Sequence, residues 1–118
     1  MSDVEIIDTI ATNWNYSYEE KEKFHRVAKK FLRKIGNELG VPFTVRSCKG
    51  GPAVLGEAIL HSDNLYISMG GSCYNDSFYF RKVKGQKDYT GGTNNWTTYG
   101  ELIHNLDKTM QRFRNPMP

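Results

Sequence analysis

The sequence predicts an α+β domain built as two N-terminal helices, a four-stranded antiparallel meander, a Gly-rich loop and a C-terminal helix, one unit over residues 1–118. Three observations predict it. Apolar residues recur at three- and four-residue spacing as far as Leu39. From Pro42 onward the period falls to two. After Thr98 the helical period returns.

In the first segment Val4, Ile7, Ile10 and Ala11 keep helical spacing, and Ile6 and Trp14 add apolar bulk. This predicts a helix from Val4 to Trp14 with Asp3 as its N-cap. The second helix, Ser17 to Leu39, opens on a capping box, Ser17-Tyr18-Glu19-Glu20. Phe24, Val27, Ala28, Phe31, Leu32, Ile35 and Leu39 form its apolar stripe. Gly40 and Pro42 stop it. Arg26, Lys29, Lys30, Arg33 and Lys34 lie on the other side, which reads as a solvated face or, alternatively, as a face that docks on nucleic acid or an acidic protein.

Phe43, Val45 and Ser47 then alternate with Thr44 and Arg46, and Gly50-Gly51-Pro52 breaks the chain. Val54 to His61 reads as a second strand, with Ser62-Asp63-Asn64 as a tight turn. Leu65, Ile67 and Met69 mark a third. A longer turn runs from Gly70 through Asp76. Ser77 to Val83 forms a fourth strand, with Phe78 and Phe80 on one side and Tyr79 and Arg81 on the other. Short strands joined by short turns favour an antiparallel meander covered by helices on one face. Gly85 to Trp96 has no period and reads as a loop. Thr98 and Glu101 make another capping box, and Leu102, Ile103, Leu106, Met110 and Phe113 give the last helix, ended by Pro116.

Composition narrows the function classes. At 118 residues, 38 % hydrophobic and 13 % aromatic, the chain can build one core without metal or disulfide. No apolar run approaches membrane-spanning length, and the acidic start lacks a signal-peptide pattern, so a cytoplasmic, non-membrane protein is expected. Cys48 and Cys73 fit reduced thiols, with a disulfide between them as the alternative. The three histidines and two cysteines have no metal-ligand spacing, so no metal and no cofactor are expected. Net charge is +3, with Asp3, Glu5 and Asp8 in an acidic first segment and a basic body behind it. That balance permits an anionic partner.

Catalysis is not expected. His25, His61 and His104 fall on separate elements, and no nucleophile-elbow, zinc-protease or phosphate-loop motif is present. Cys48 lies between Arg46 and Lys49, which would favour a thiolate, but no base or cleft accompanies it. Binding is better supported. Arg46, Lys49, Arg81, Lys82, Lys84 and Lys87 are interleaved with Tyr66, Tyr79, Tyr89 and Trp96. Bases meet phosphates and rings meet nucleobases. The expected site gathers Arg46, Lys49, Arg81, Lys84, Lys87, Tyr89, Gly91, Gly92, Asn94, Asn95 and Trp96. In it Arg81, Lys84 and Lys87 would hold phosphate, and Tyr89 and Trp96 would stack. Gly91-Gly92 would let backbone approach the ligand, and Asn94 or Asn95 would read polar edges.

At Arg46-Ser-Cys-Lys-Gly-Gly-Pro-Ala-Val and Lys87-Asp-Tyr-Thr-Gly-Gly-Thr-Asn-Asn-Trp the chain resembles small bacteriophage-encoded proteins of uncharacterised type, over roughly residues 20 to 100. The resemblance implies an anti-defence protein acting in a bacterial host's cytoplasm. One such group sequesters cyclic or ADP-ribose-like nucleotide signals, usually as homo-oligomers. Another, like anti-CRISPR proteins, binds a host effector protein. The Gly-Gly, Asn and aromatic loop suits the first group, so a non-enzymatic nucleotide-binding protein is the leading expectation. The alternatives are an inhibitor of a host defence protein and a nucleic-acid-binding protein. The α-β-β-β-α order of double-stranded-RNA-binding domains does not match, because this chain adds a helix and a strand and lacks a basic cluster at the start of its last helix.

Overall fold

The computed structural model describes residues 1–13, 15–51, 53–71 and 77–118. Trp14, the Pro52 break, Cys73 and most of the Gly70–Asp76 turn lie outside the described residues. The first helix, α1 (Asp3–Ala11), is capped by Ser2 and not by Asp3. The Ser2 hydroxyl accepts from the Glu5 amide, and the Glu5 carboxylate accepts from the Ser2 amide, both at 3.2 Å. This reciprocal pair moves the start of the helix by one residue. The second helix, α2 (Tyr18–Leu39), has the expected Ser17–Glu20 capping box and ends at Gly40 with φ +72°. Its apolar stripe is buried from Phe24 to Ile35.

Five strands follow: β1 (Phe43–Cys48), β2 (Glu57–Ser62), β3 (Leu65–Gly70), β4 (Ser77–Lys82) and β5 (Asn95–Thr98). They pair antiparallel in sequence order, as a meander. The second strand begins at Glu57, not Val54, because the Val54 amide closes a turn onto the Gly51 carbonyl at 3.3 Å. The fifth strand corrects the expectation of four. Asn95 to Thr98 pairs with Phe80 to Ser77 along an edge that would otherwise be open. The last helix is also two: α3 (Tyr99–His104) and α4 (Leu106–Arg114), separated at Asn105, whose φ −137° and ψ 54° leave the helical region. The break re-aims the stripe. Leu102, Met110 and Phe113 are buried, whereas Leu106, expected with them, is 45 % exposed.

One face of the sheet carries the main core. Ala58, Leu60, Leu65, Ile67, Met69, Phe78 and Phe80 pack there against residues of all four helices. The Phe80 ring meets Phe113 edge-on at 4.9 Å, and Phe78 stacks on Tyr99 at 5.0 Å. The opposite face has a separate cluster of Ile59, Tyr66 and Val83 with Tyr79 against it, and no helical residue belongs to it.

The connection from β1 to β2 is fastened to α2. The buried Lys21 ammonium donates to the Gly51 carbonyl at 2.9 Å. His25, placed by its spacing beside the apolar stripe, is 1 % exposed and uses both ring nitrogens, on Leu55 O at 2.8 Å and Ser47 Oγ at 3.0 Å. Lys49 pairs with Glu22 at 2.9 Å. No helix among the described residues is long and apolar enough to cross a membrane.

Candidate functional site

Strand alternation sends every second side chain of this sheet away from the helices. In register across the strands, Arg46 stands beside Ile59, Ile59 beside Ser68, Ser68 beside Tyr79, and Tyr79 beside Trp96. The adjacent row is Thr44, His61, Tyr66 and Arg81. The helix-free face is therefore aromatic and basic.

Its rings form a continuous chain. Trp96 meets Tyr79 at 5.3 Å, Tyr79 stacks near Tyr66 at 6.4 Å, and Tyr66 meets His61 edge-on at 5.0 Å. His61 then meets Tyr89, from the loop between β4 and β5, at 5.4 Å. The two ends are the open ones: Trp96 is 59 % and Tyr89 58 % exposed. The Arg81 guanidinium lies 4.3 Å from the Tyr66 ring centre, and that of Arg46 5.9 Å from Tyr89. Both are cation–π arrangements.

Polar groups on this face are only partly satisfied. Arg81 Nη2 donates to the Tyr89 carbonyl at 2.7 Å, but Arg81 Nε is buried without a partner among the described residues. His61 Nε2 lies 3.1 Å from the Gly85 carbonyl oxygen, and its buried Nδ1 has no partner among them either. Burial pushes the His61 ring below its ordinary pKa, and the charges of Arg46 and Arg81 add to this against the Gly85 hydrogen bond. The ring is thus a neutral imidazole that donates through Nε2 and leaves Nδ1 as an acceptor. Burial, then Tyr79 and Glu57, raises the Tyr66 phenol. The Glu57 carboxylate, the acid on this face, accepts from the Ser68 hydroxyl.

The loop is shaped by Asp88. Its carboxylate accepts from the amides of Lys84 at 3.0 Å, Gly91 at 2.8 Å and Thr90 at 3.3 Å. The Lys84 and Gly91 amides, with Thr90 adding, hold that carboxyl below the usual range. Gly92 takes φ +86° directly beside the Lys82 carbonyl.

The residues expected to share one site separate into groups. Arg46, Arg81, Tyr89 and Trp96 converge on the open sheet face. Lys84, Gly91 and Gly92 line a cavity of about 300 Å³ with Lys82, Asp88 and Pro118. Lys87 and Asn94 are exposed on the loop. Lys49 lies with Glu22 of α2, away from the aromatic chain. Asn95 faces the helix side and is 3 % exposed. Its amide donates to Thr93 O at 3.0 Å and Met117 O at 3.1 Å, and its oxygen accepts from the Met117 amide at 3.0 Å. It ties down the C-terminal segment and has no free edge to offer a ligand.

The sequence counts Tyr66 and Tyr79 among the binding aromatics without giving them a place in the site, and it leaves His61 out. Their signal was present, since each occupies a strand position alternating with a core residue. What the sequence left open was which face of the sheet the helices cover, and so which alternate residues remain uncovered. Comparison with known proteins adds nothing to this geometry: no protein-family model matches the chain, and no curated protein or solved structure is significantly similar to it.

Proposed function

We propose that this protein binds a phosphate-bearing nucleotide on the helix-free face of its sheet, without chemically transforming it. The observation that carries the reading is the run of rings from Tyr89 to Trp96 with Arg46 and Arg81 set among them. Rings offer stacking to a base of any identity, and guanidinium groups match phosphate oxygens. Arg46 is half-buried, and its guanidinium lies over the face of Tyr89. Arg81 Nε and His61 Nδ1, buried without a partner among the described residues, leave polar capacity on this face unused.

A binding rather than catalytic role is supported by how the histidines are used. Both nitrogens of His25 hold the β1–β2 connection, and His61 is fully buried beneath Tyr66 and Tyr89. In the context implied by the phage-protein resemblance, such a ligand would be a nucleotide signal of host defence, which the protein would sequester.

Calorimetric titration with a panel of linear, cyclic and ADP-ribose-type nucleotides tests the reading. At least one should bind, and Arg46→Ala and Trp96→Ala should each weaken it by about 5-fold or more. Binding by both variants equal to that of the parent protein would remove the site from this face.

The exposure of Trp96 and Tyr89 favours a second reading, a contact surface for a host effector protein, because Trp, Tyr and Arg dominate binding hot spots. That reading requires a stable complex with a protein and no affinity for any nucleotide.

A further inference from the structure

The nature of the ligand can be narrowed, on the footing of the nucleotide reading of the same face. We infer that the sheet binds a short single strand of nucleic acid in preference to a lone nucleotide. The two exposed rings stand at opposite ends of the aromatic chain. Trp96 is on β5, whereas Tyr89 lies over His61 of β2 and near Arg46 of β1. Three interstrand spacings separate β5 from β2, about 14 Å at the usual spacing. One base covers one ring. Using both therefore requires at least two bases joined by backbone, with Tyr79 and Tyr66 beneath the connection.

The charges fit that backbone. Arg81 of β4 and Arg46 of β1 are set along the same path, so phosphates passing between the end rings would meet one guanidinium and then the other. Glu57 on this face accepts from Ser68 and forms no ion pair with either arginine among the described residues. Arg81 is already fixed over Tyr66 and by the Tyr89 carbonyl, so its guanidinium needs little ordering to meet a phosphate. A duplex does not suit the face, because its bases are stacked on one another and closed to side-chain rings. Two arginines also imply a weak salt dependence: at about −0.7 per phosphate for single strands, log affinity against log salt should have a slope near −1.4.

The test uses the full chain and dye-labelled probes in fluorescence anisotropy. The probes are a nucleoside monophosphate, a single strand of about four nucleotides of mixed sequence, and a blunt duplex of about 15 base pairs, long enough to stay paired, over a range of salt. The single strand should bind at least about 10-fold more tightly than the monophosphate, since the second stack alone is worth about 5- to 150-fold. Trp96→Ala and Tyr89→Ala should each remove about that factor for the strand, while only one of them affects the monophosphate. Both side chains are exposed, and a thermal melt confirms that the variants fold. A monophosphate bound as tightly as the strand would overturn the single-strand inference and leave the nucleotide reading standing. Duplex binding equal to single-strand binding would overturn it in the same way. No binding of any probe in this set or in the nucleotide panel, with a host protein captured instead, would overturn both.

Discussion

The Arg81 guanidinium donates to the carbonyl oxygen of Tyr89 at 2.7 Å while lying over the Tyr66 ring, so one strand side chain fastens the β4–β5 loop to the open sheet face. Removing that latch should loosen the loop without unfolding the sheet. Arg81→Ala is expected to speed amide exchange of residues 84–94 by about 2- to 10-fold, the value of one hydrogen bond. Hydrogen-exchange mass spectrometry reads this directly. Unchanged exchange in that segment would mean that Asp88 alone holds the loop.

Asn95 predicts a different failure. Its side chain makes three hydrogen bonds, two of them to Met117, from a nearly fully buried position. Asn95→Ala removes all three hydrogen bonds and the tether of the C-terminal segment, and should cost about 1–3 kcal/mol in urea unfolding. Affinity for a nucleotide should not change, because the residue faces the helices. Lost binding in a folded variant would return Asn95 to the ligand site.

Gly92 is fixed by backbone geometry. It holds φ +86°, and a Cβ there would run into the Lys82 carbonyl oxygen. Gly92→Ala should destabilise by more than about 1 kcal/mol, from strain added to that clash. The neighbouring Gly91 has an ordinary φ, so a Gly92→Ala protein as stable as the parent would show that the loop turns differently.

Stability should fall in mild acid. Burial holds the His25 ring below the ordinary 6.5, against its hydrogen bond to Leu55, and the nearby Lys49 and Lys21 add to the depression. His61 is depressed in the same direction. Below about pH 6.5 the unfolded chain takes up protons that the folded chain refuses. The contribution is therefore complete above that pH and is lost as pH drops toward the folded pKa values. Urea unfolding at about pH 7.5 and about pH 5.5 should show the loss, at most about 1.4 kcal/mol per pH unit for each histidine. His25→Gln, whose amide can still donate to Leu55 and accept from Ser47, should flatten part of that slope. A variant with the parent's slope would assign it to other groups.

The local elements were legible because their causes are local. Ser17 and Glu20, the stripe from Phe24 to Ile35, and the alternation of Phe78 and Phe80 with Tyr79 and Arg81 each act within a few residues. The places where expectation failed have distant causes. Asn95 to Thr98 is a strand because β4 offers an open edge, and Asn95 faces inward because that register puts it there. His25 is buried because β1 supplies Ser47 and the β1–β2 connection folds back to supply Leu55 as its partners.

By itself the sequence determined the α+β class, the two N-terminal helices, the first four strands of the meander, a helical C-terminal region and the residue types available for binding, since periodicity and capping are short-range. Only the tertiary structure decided which of those residues meet. All the helices pack on one face of the meander, so alternation delivers Arg46, His61, Tyr66, Tyr79, Arg81 and Trp96 to the other, although they come from five strands far apart in the chain. Lys49 and Asn95, near those residues in sequence, are turned elsewhere by their own hydrogen bonds.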